Sequence, residues 1–229
     1  MLDSSSALIK AITAGLESVG IRGTSADAIN ALAGSPLPDY FRVLSGGRDA
    51  SKDPSYDPFV AAFRDAYNLE SVPAFGDVYA GLAALRRAVP AQVPFAIATT
   101  KPTARAEHEV RAAGLGGFFA HVQGTDVGMS PKPAPDVILA AARALGKDPR
   151  RCVYFGDTER DVAAAKSGGL AAAVSVLYPL SPLSHALPVK GVGAAQNNSW
   201  GADVSVSGVA SLAAYAPLLL ARIASVAGG

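Results

Sequence analysis

The chain has 229 residues, half of them hydrophobic, and its 20 basic and 19 acidic side chains leave a formal charge of +1. A chain of this length buries roughly 70% of its unfolded surface, enough for one sizeable core and a small appended domain. The balanced charge offers no broad field to a polyanion, which argues against nucleic-acid binding, so any anion must be held locally.

The single cysteine, Cys152, excludes an internal disulfide, and no charged segment leading into a long apolar run opens the chain. A reducing, cytoplasmic setting is therefore expected. From residue 4 to about 70 only helices are expected. Ser4 to Ser6 offer N-caps, Ala7 to Val19 carries helical spacing, and Gly20 supplies a stop. Ser25 to Ala33, ending at Gly34, Asp39 to Leu44, ending at Gly46 and Gly47, and Pro58 to Tyr67, with Phe59, Ala62 and Phe63 on one face, follow.

Beyond Pro73 short apolar runs alternate with amphipathic helices. Helices are expected at Val78 to Val89, Thr103 to Ala113, Pro135 to Leu145 and Thr158 to Ser167. Strands are expected at Pro94 to Ala98, Phe119 to Gln123, Cys152 to Phe155, Ala171 to Val176 and Val204 to Val206. This alternation predicts an α/β fold, a parallel sheet with helices on both faces, with ligands at the carboxyl ends of its strands. Tyr178 to Gly201, rich in proline and glycine, reads as one long loop. The closing helix, Val209 to Val226, carries Ser211, Tyr215, Pro217 and Arg222, which favours packing on a core over crossing a membrane.

Polar residues with chemical potential follow these strands. Thr99, Thr100 and Lys101 come after the first, where hydroxyls and backbone N–H groups at a helix start can hold a phosphate; the plain alternative is an N-cap ahead of Pro102. Lys132 sits among Pro131, Pro133 and Pro135, so a stiffened loop aims a cation; the alternative is an ordinary surface lysine at a proline-rich helix entry. Asp157 ends the strand from Cys152 and Asp161 lies four residues on. Two hard oxygen donors at that spacing suit Mg²⁺, whereas the alternative makes Asp157 a helix cap and Asp161 a partner of the helix's positive end. Asp3, at the start, has a frayed terminus as its alternative. Cys152 reads as a buried small hydrophobe, and His108, His121 and His185 show no metal-ligand spacing.

In order and spacing, Ala98-Thr-Thr-Lys-Pro102, Lys132-Pro-x-Pro135 and Gly156-Asp-Thr-x-x-Asp161 resemble the second, third and fourth motifs of the haloacid dehalogenase superfamily. The Thr-x-Lys-Pro form leans toward phosphoglycolate-phosphatase-like members. Leu2-Asp-Ser-Ser5 is similar to the tail of the first motif, whose full form is an apolar strand running into Asp-x-Asp-Gly-Thr.

The resemblance implies a helical cap at residues 5–72 and a Rossmann-like core at 1–4 and 73–229. It implies a magnesium-dependent hydrolysis of a small phosphorylated metabolite, in which Thr99 binds the phosphoryl group, Lys132 neutralises it, Asp157 ligates Mg²⁺ and Asp161 supports that site. It also implies a nucleophilic and an acid–base aspartate, which belong to the first motif; with its strand they are expected in a segment ahead of Met1, the present sequence being a shortened form of a longer chain. A non-catalytic phosphate-binding protein on the same scaffold is the rival reading. A dehalogenase is a third, disfavoured because Asp157 and Asp161 supply a metal site that chemistry does not need.

Overall fold

A computed structural model describes residues 2–70, 72–74, 76–177 and 201–226. The chain divides into two compact units, Leu2–Pro73 and, after it, the part from Ala74 onward. The expected loop lies outside the described residues, apart from Gly201, and His185 lies outside with it.

The first unit contains α1 (Ser5–Ser18), α2 (Ala26–Asn30), α3 (Leu37–Leu44) and α4 (Tyr56–Leu69). Apolar residues at helical spacing put Ile12, Leu16, Ile29, Tyr40, Phe41 and Phe59 into one core. Phe41 meets Tyr56 edge-on at 5.2 Å between ring centroids, a geometry favoured by the ring quadrupoles. Gly15 permits the close approach of α1 and α4, because a Cβ there would stand 2.9 Å from the Phe59 carbonyl oxygen. Asp3 is tied down at both ends rather than frayed. Its N–H donates to the Pro73 carbonyl at 2.8 Å, and its carboxylate accepts from the Ser5 N–H at 3.1 Å. That carboxylate takes the capping role expected of the serines, since Ser4 makes no side-chain capping bond.

In the second unit helices and parallel strands alternate: α5 (Val78–Ala88), β1 (Ala96–Ala98), α6 (Thr103–Ala112), β2 (His121–Gln123), α7 (Asp136–Ala144), β3 (Val153–Gly156), α8 (Glu159–Ser167), β4 (Ala172–Leu177), β5 (Val204–Ser207) and α9 (Leu212–Val226). The expected α/β class with parallel strands is present. Several elements are shorter than their apolar runs. Phe119 and Ala120, for example, precede β2, because a 3₁₀ turn at Gly116–Phe118 occupies the approach. The expected last helix splits into a 3₁₀ turn at Val209–Ser211 and α9, with Pro217 inside the latter. No helix among the described residues is long and apolar enough to cross a membrane.

The strands form two sheets, β1–β2 and β3–β4–β5. In the second, β4 is central and fully covered: Ala172, Ala173, Val174, Ser175 and Val176 are all buried, as a parallel strand flanked on both faces should be. Val137, Ile138, Val162, Ala164, Ala165 and Ala173 pack α7 and α8 into one core, with Ala98 and Tyr154 against it. Strand β3 is only half-buried along its length.

The backbone directions explain that half-burial. Phe95 O accepts from Ala120 N, and Thr99 N donates to Gln123 O. The alternation of strand N–H and C=O groups therefore turns Ala96 and Ala98 away from β2. Cys152 O accepts from Ala171 N, so Val153 and Phe155 turn away from β4 by the same rule. Among the described residues neither of these edges has a strand beside it. Between them reaches one side chain, the Tyr154 hydroxyl, which donates to Ala98 O at 2.9 Å.

Candidate functional site

At the carboxyl end of β3 the chain turns into α8, and the turn is built around Asp161. Its Oδ2 accepts from the N–H groups of Asp157 and Thr158 at 3.2 and 3.1 Å and from the Thr158 hydroxyl at 2.7 Å. The Thr158 Oγ1 in return accepts from the Asp161 N–H, forming a capping box. The cap of α8 is thus Thr158 with Asp161; Asp157, the cap under the alternative reading, is left out of it. Gly156 makes this turn possible, since a Cβ there would overlap the Asp161 side chain.

The other Asp161 oxygen, Oδ1, receives the Lys132 ammonium at 2.5 Å. Lys132 also donates to the Tyr154 hydroxyl at 3.0 Å. Its side chain is 10% exposed and that of Asp161 is 6% exposed, so this is a buried ion pair. Burial alone would raise the Asp161 carboxyl, but the Lys132 charge and the hydrogen bonds from Lys132, Thr158 and Tyr154 outweigh it and hold the group below the usual carboxylate range. Burial likewise opposes the Lys132 charge, yet Tyr154 and Asp161 raise it above the ordinary lysine value. Lys132 is therefore a permanent cation at neutral pH, and Asp161 a permanent anion.

Asp157 differs from its neighbour. Its side chain reaches solvent, and its carboxylate accepts no hydrogen bond from another described residue. The surrounding protein mass and then the Asp161 charge push its carboxyl up. An exposed oxygen donor under repulsion from a second carboxylate is well suited to a cation.

The β1 side of the site is held from the neighbouring loop. Thr99 Oγ1 accepts from the Lys101 N–H at 3.3 Å, forming a local turn, and Thr99 O accepts from the Thr125 hydroxyl at 3.0 Å. Thr100 is exposed. Neither threonine caps α6. That role falls to Asp126, whose two oxygens accept from the Thr103 N–H at 3.0 Å and the Thr103 hydroxyl at 2.6 Å. Gly124 is needed at this crossing, because a Cβ would overlap the Thr103 and Lys101 backbone. Lys101 itself pairs with Glu109, which is 2% exposed and also takes Arg105 Nε at 2.7 Å. The loop bearing Lys132 is pinned at its far end by Ser130 N–H donating to Asp136 Oδ1 at 3.2 Å, and the Lys132–Pro133 peptide is cis.

The structure thus brings Lys132, Asp157 and Asp161 into one cluster, with Thr99 one residue beyond the carbonyl that Tyr154 holds. Tyr154 was not legible from the sequence, where it reads as an apolar strand residue; its one signal is a hydroxyl-bearing ring two residues before Gly156. Asp126 gave no signal, since the helix it caps begins 23 residues earlier. Cys152 is half-buried, and burial pushes its thiol up, away from nucleophile behaviour. His121 Nε2 lies 3.2 Å from Gln123 Oε1. Among the described residues no group of three or more His, Cys, Asp or Glu side chains is placed to hold a metal.

Comparison with known proteins gives this arrangement a lineage. Over 176 residues, 75% of each chain, the sequence is 31% identical to the probable phosphatase IndB of Dickeya dadantii. It is 29% identical over 175 residues to a phosphoglycolate phosphatase of Neisseria meningitidis, covering 74% of this chain and 73% of that one. The fold is similar to that of a haloacid dehalogenase-like hydrolase from Streptococcus pneumoniae, with a TM-score of 0.71 at 21% identity over 94% of this chain and 92% of the other. It is also similar to that of a predicted phosphoglycolate phosphatase from Haemophilus somnus, with a TM-score of 0.72 at 18% identity over 93% and 91%. Residues 1–175 match the model of the haloacid dehalogenase-like hydrolases, a stretch that takes in β1 and its threonines, the Lys132 loop and the Asp157–Asp161 turn, and the chain belongs to that family.

Proposed function

We propose that the protein hydrolyses a small phosphomonoester with the help of Mg²⁺. The observation that carries this reading is the buried Lys132–Asp161 pair beside the open, repelled Asp157 carboxylate, at the carboxyl ends of parallel strands. The similarity to phosphoglycolate phosphatases supports the reaction class and makes phosphoglycolate the first substrate to try.

In this reading Lys132 neutralises the phosphoryl oxygens and Thr99, with Thr100 beside it, donates hydrogen bonds to them. Asp157 is the direct protein ligand of Mg²⁺, and Asp161, which accepts from Lys132, from the Asp157 and Thr158 N–H groups and from the Thr158 hydroxyl, holds Lys132 and the turn in place. Bound there, Mg²⁺ would screen phosphate charge that Lys132 cannot balance alone. These groups stabilise charge and position the phosphoryl group, which is the larger part of what phosphoryl transfer needs from a protein. Residues 5–72 act as the cap that selects the substrate and keeps water out.

The attacking and proton-transferring carboxylates of the first motif remain to be supplied. We assign them to a further parallel strand seated along the edges of β1 and β3 that turn away from their partners, carried by chain ahead of Met1. The half-burial of β3 and the cost of unpaired inner strand edges support this placement. Reading the coding sequence ahead of Met1 tests it directly: an in-frame apolar strand ending in Asp-x-Asp-Gly-Thr is expected, and its absence overturns the assignment.

The decisive assay for the activity is phosphate release from a broad panel of phosphorylated metabolites by the extended chain, with and without Mg²⁺. Magnesium-dependent release is expected. Phosphate and Mg²⁺ raising the melting temperature without turnover of any substrate would instead establish a non-catalytic phosphate-binding protein.

A further inference from the structure

A threonine hydroxyl can accept two hydrogen bonds and has one proton to give. After β1 the Lys101 N–H donates to Thr99 Oγ1 at 3.3 Å, which fills one acceptor site and leaves the Thr99 proton to be donated elsewhere. The backbone of this turn is gripped from β2 and the loop that follows it. Thr99 N–H donates to Gln123 O at 2.9 Å, Thr125 N–H to Lys101 O at 3.0 Å and the Thr125 hydroxyl to Thr99 O at 3.0 Å. None of these partners occupies the edge of β1 along which a further strand is placed above.

The Lys101 side chain is held from a third direction. Its ammonium donates to Glu109 Oε2, and Arg105 Nε takes the other oxygen, Oε1, at 2.7 Å. Glu109 is 2% exposed, and a carboxylate is kept at such burial only where its charge is paired and its oxygens are bonded. Lys101, Arg105 and Glu109 follow at intervals of four residues, one stripe of α6 and of the turn leading into it. Glu109 lies six residues past Thr103, about 9 Å along the helix axis. Because α6 leads from β1 to the parallel strand β2, it runs back from the carboxyl ends of the strands, and the Lys101 side chain is drawn down along it. Arg105 alone would pair Glu109 within the helix at i, i+4; the reach to a lysine ahead of the helix ties the turn itself to α6.

We propose that Glu109 is a positioning residue for the phosphate-binding turn: by fixing the Lys101 side chain along α6 it holds the Lys101 N–H on Thr99 Oγ1, so that the Thr99 hydroxyl gives its proton to the phosphoryl group. The proposal rests on the reading of Thr99 as a phosphate donor given above, and it predicts that Glu109 acts only through Lys101 and Thr99.

The test is a double-mutant cycle on the full chain, with inorganic phosphate as the probe in the presence of Mg²⁺ and binding measured by calorimetry. Glu109→Gln, neutral and of the same shape, should weaken phosphate binding about tenfold, the lower end for a hydrogen bond to a charged group. In a Thr99→Val background the same substitution should change nothing further. A second readout is amide exchange. The Lys101 and Thr125 N–H groups, which close the turn, should exchange faster in Glu109→Gln, while those of Val110 and Ala112 within α6 should not.

Unchanged phosphate affinity overturns the proposal, as does an equal effect of Glu109→Gln with and without the Thr99 hydroxyl. A gain in affinity overturns it too, since the released Lys101 ammonium would then be binding phosphate itself. Exchange that quickens equally in the turn and in α6 reduces Glu109 to a support of the helix. If the native chain binds no phosphate, the phosphate reading of Thr99 fails, while the exchange at Lys101 and Thr125 still decides whether Glu109 holds the turn. Should Glu109→Gln not fold, Lys101→Met leaves Glu109 paired with Arg105 and carries the same expectations for phosphate and for the Thr125 amide.

Discussion

At the residue scale the two aspartates of the turn after β3 pull stability in opposite directions. Asp161 is held below the ordinary carboxylate range, so its contribution is fully present above about pH 4, the unfolded value, and drains away as pH falls through the lower folded value. Asp157 is pushed up, so its charge disfavours the fold at neutral pH and protonation relieves it. Without divalent cations, Asp157→Asn should therefore raise the melting temperature at pH 7 and abolish any rise on adding Mg²⁺. Lys132→Met strands the Asp161 charge in a buried site and should cost about 3–5 kcal/mol, read by urea denaturation. In a melting series from pH 7 to pH 3, Asp161→Asn should flatten the acid limb relative to the native chain.

At the scale of elements, glycines decide how closely the parts of the site approach one another. Gly156 lets Asp161 fold back over the end of β3, and Gly124 lets the loop after β2 cross the start of α6. Either glycine changed to alanine must displace neighbouring backbone or a saturated carboxylate, and should destabilise by about 1–3 kcal/mol. The two should separate in a binding assay. Gly156→Ala moves the aspartates and should weaken Mg²⁺ and phosphate together, whereas Gly124→Ala acts on the Thr99 side and should affect phosphate first. Asp126→Ala removes the donated cap of α6 and should lower the melting temperature without altering the Mg²⁺ response.

At the scale of the whole molecule the described residues of the second unit form two parallel sheets, and the Tyr154 hydroxyl on one donates to Ala98 O on the other. A chain extended by an apolar strand ending in Asp-x-Asp-Gly-Thr should bury β3, raise the melting temperature and gain turnover together. Amide exchange at Ala96, Ala98, Val153 and Phe155 is the measurement, since these N–H groups face the edges in question and should become protected only in the extended chain.

Read alone, the sequence determined the helical composition of the first unit, the parallel α/β class of the second, and the polar clusters at the ends of β1 and β3. These depend on period, turn residues and spacing, which are local properties of the chain. The Lys132–Asp161 pairing, the saturation of Asp161 against the openness of Asp157, the capping of α6 by Asp126 and the strut formed by Tyr154 were decided by tertiary structure alone. The Lys132–Asp161 pair, the Asp126 cap and the Tyr154 contacts to Lys132 and Ala98 each join groups 22 or more residues apart, and a hydrogen bond across such a span has no period to betray it. A tyrosine in an apolar strand is ordinary until the fold places a lysine, an aspartate and a carbonyl around its hydroxyl.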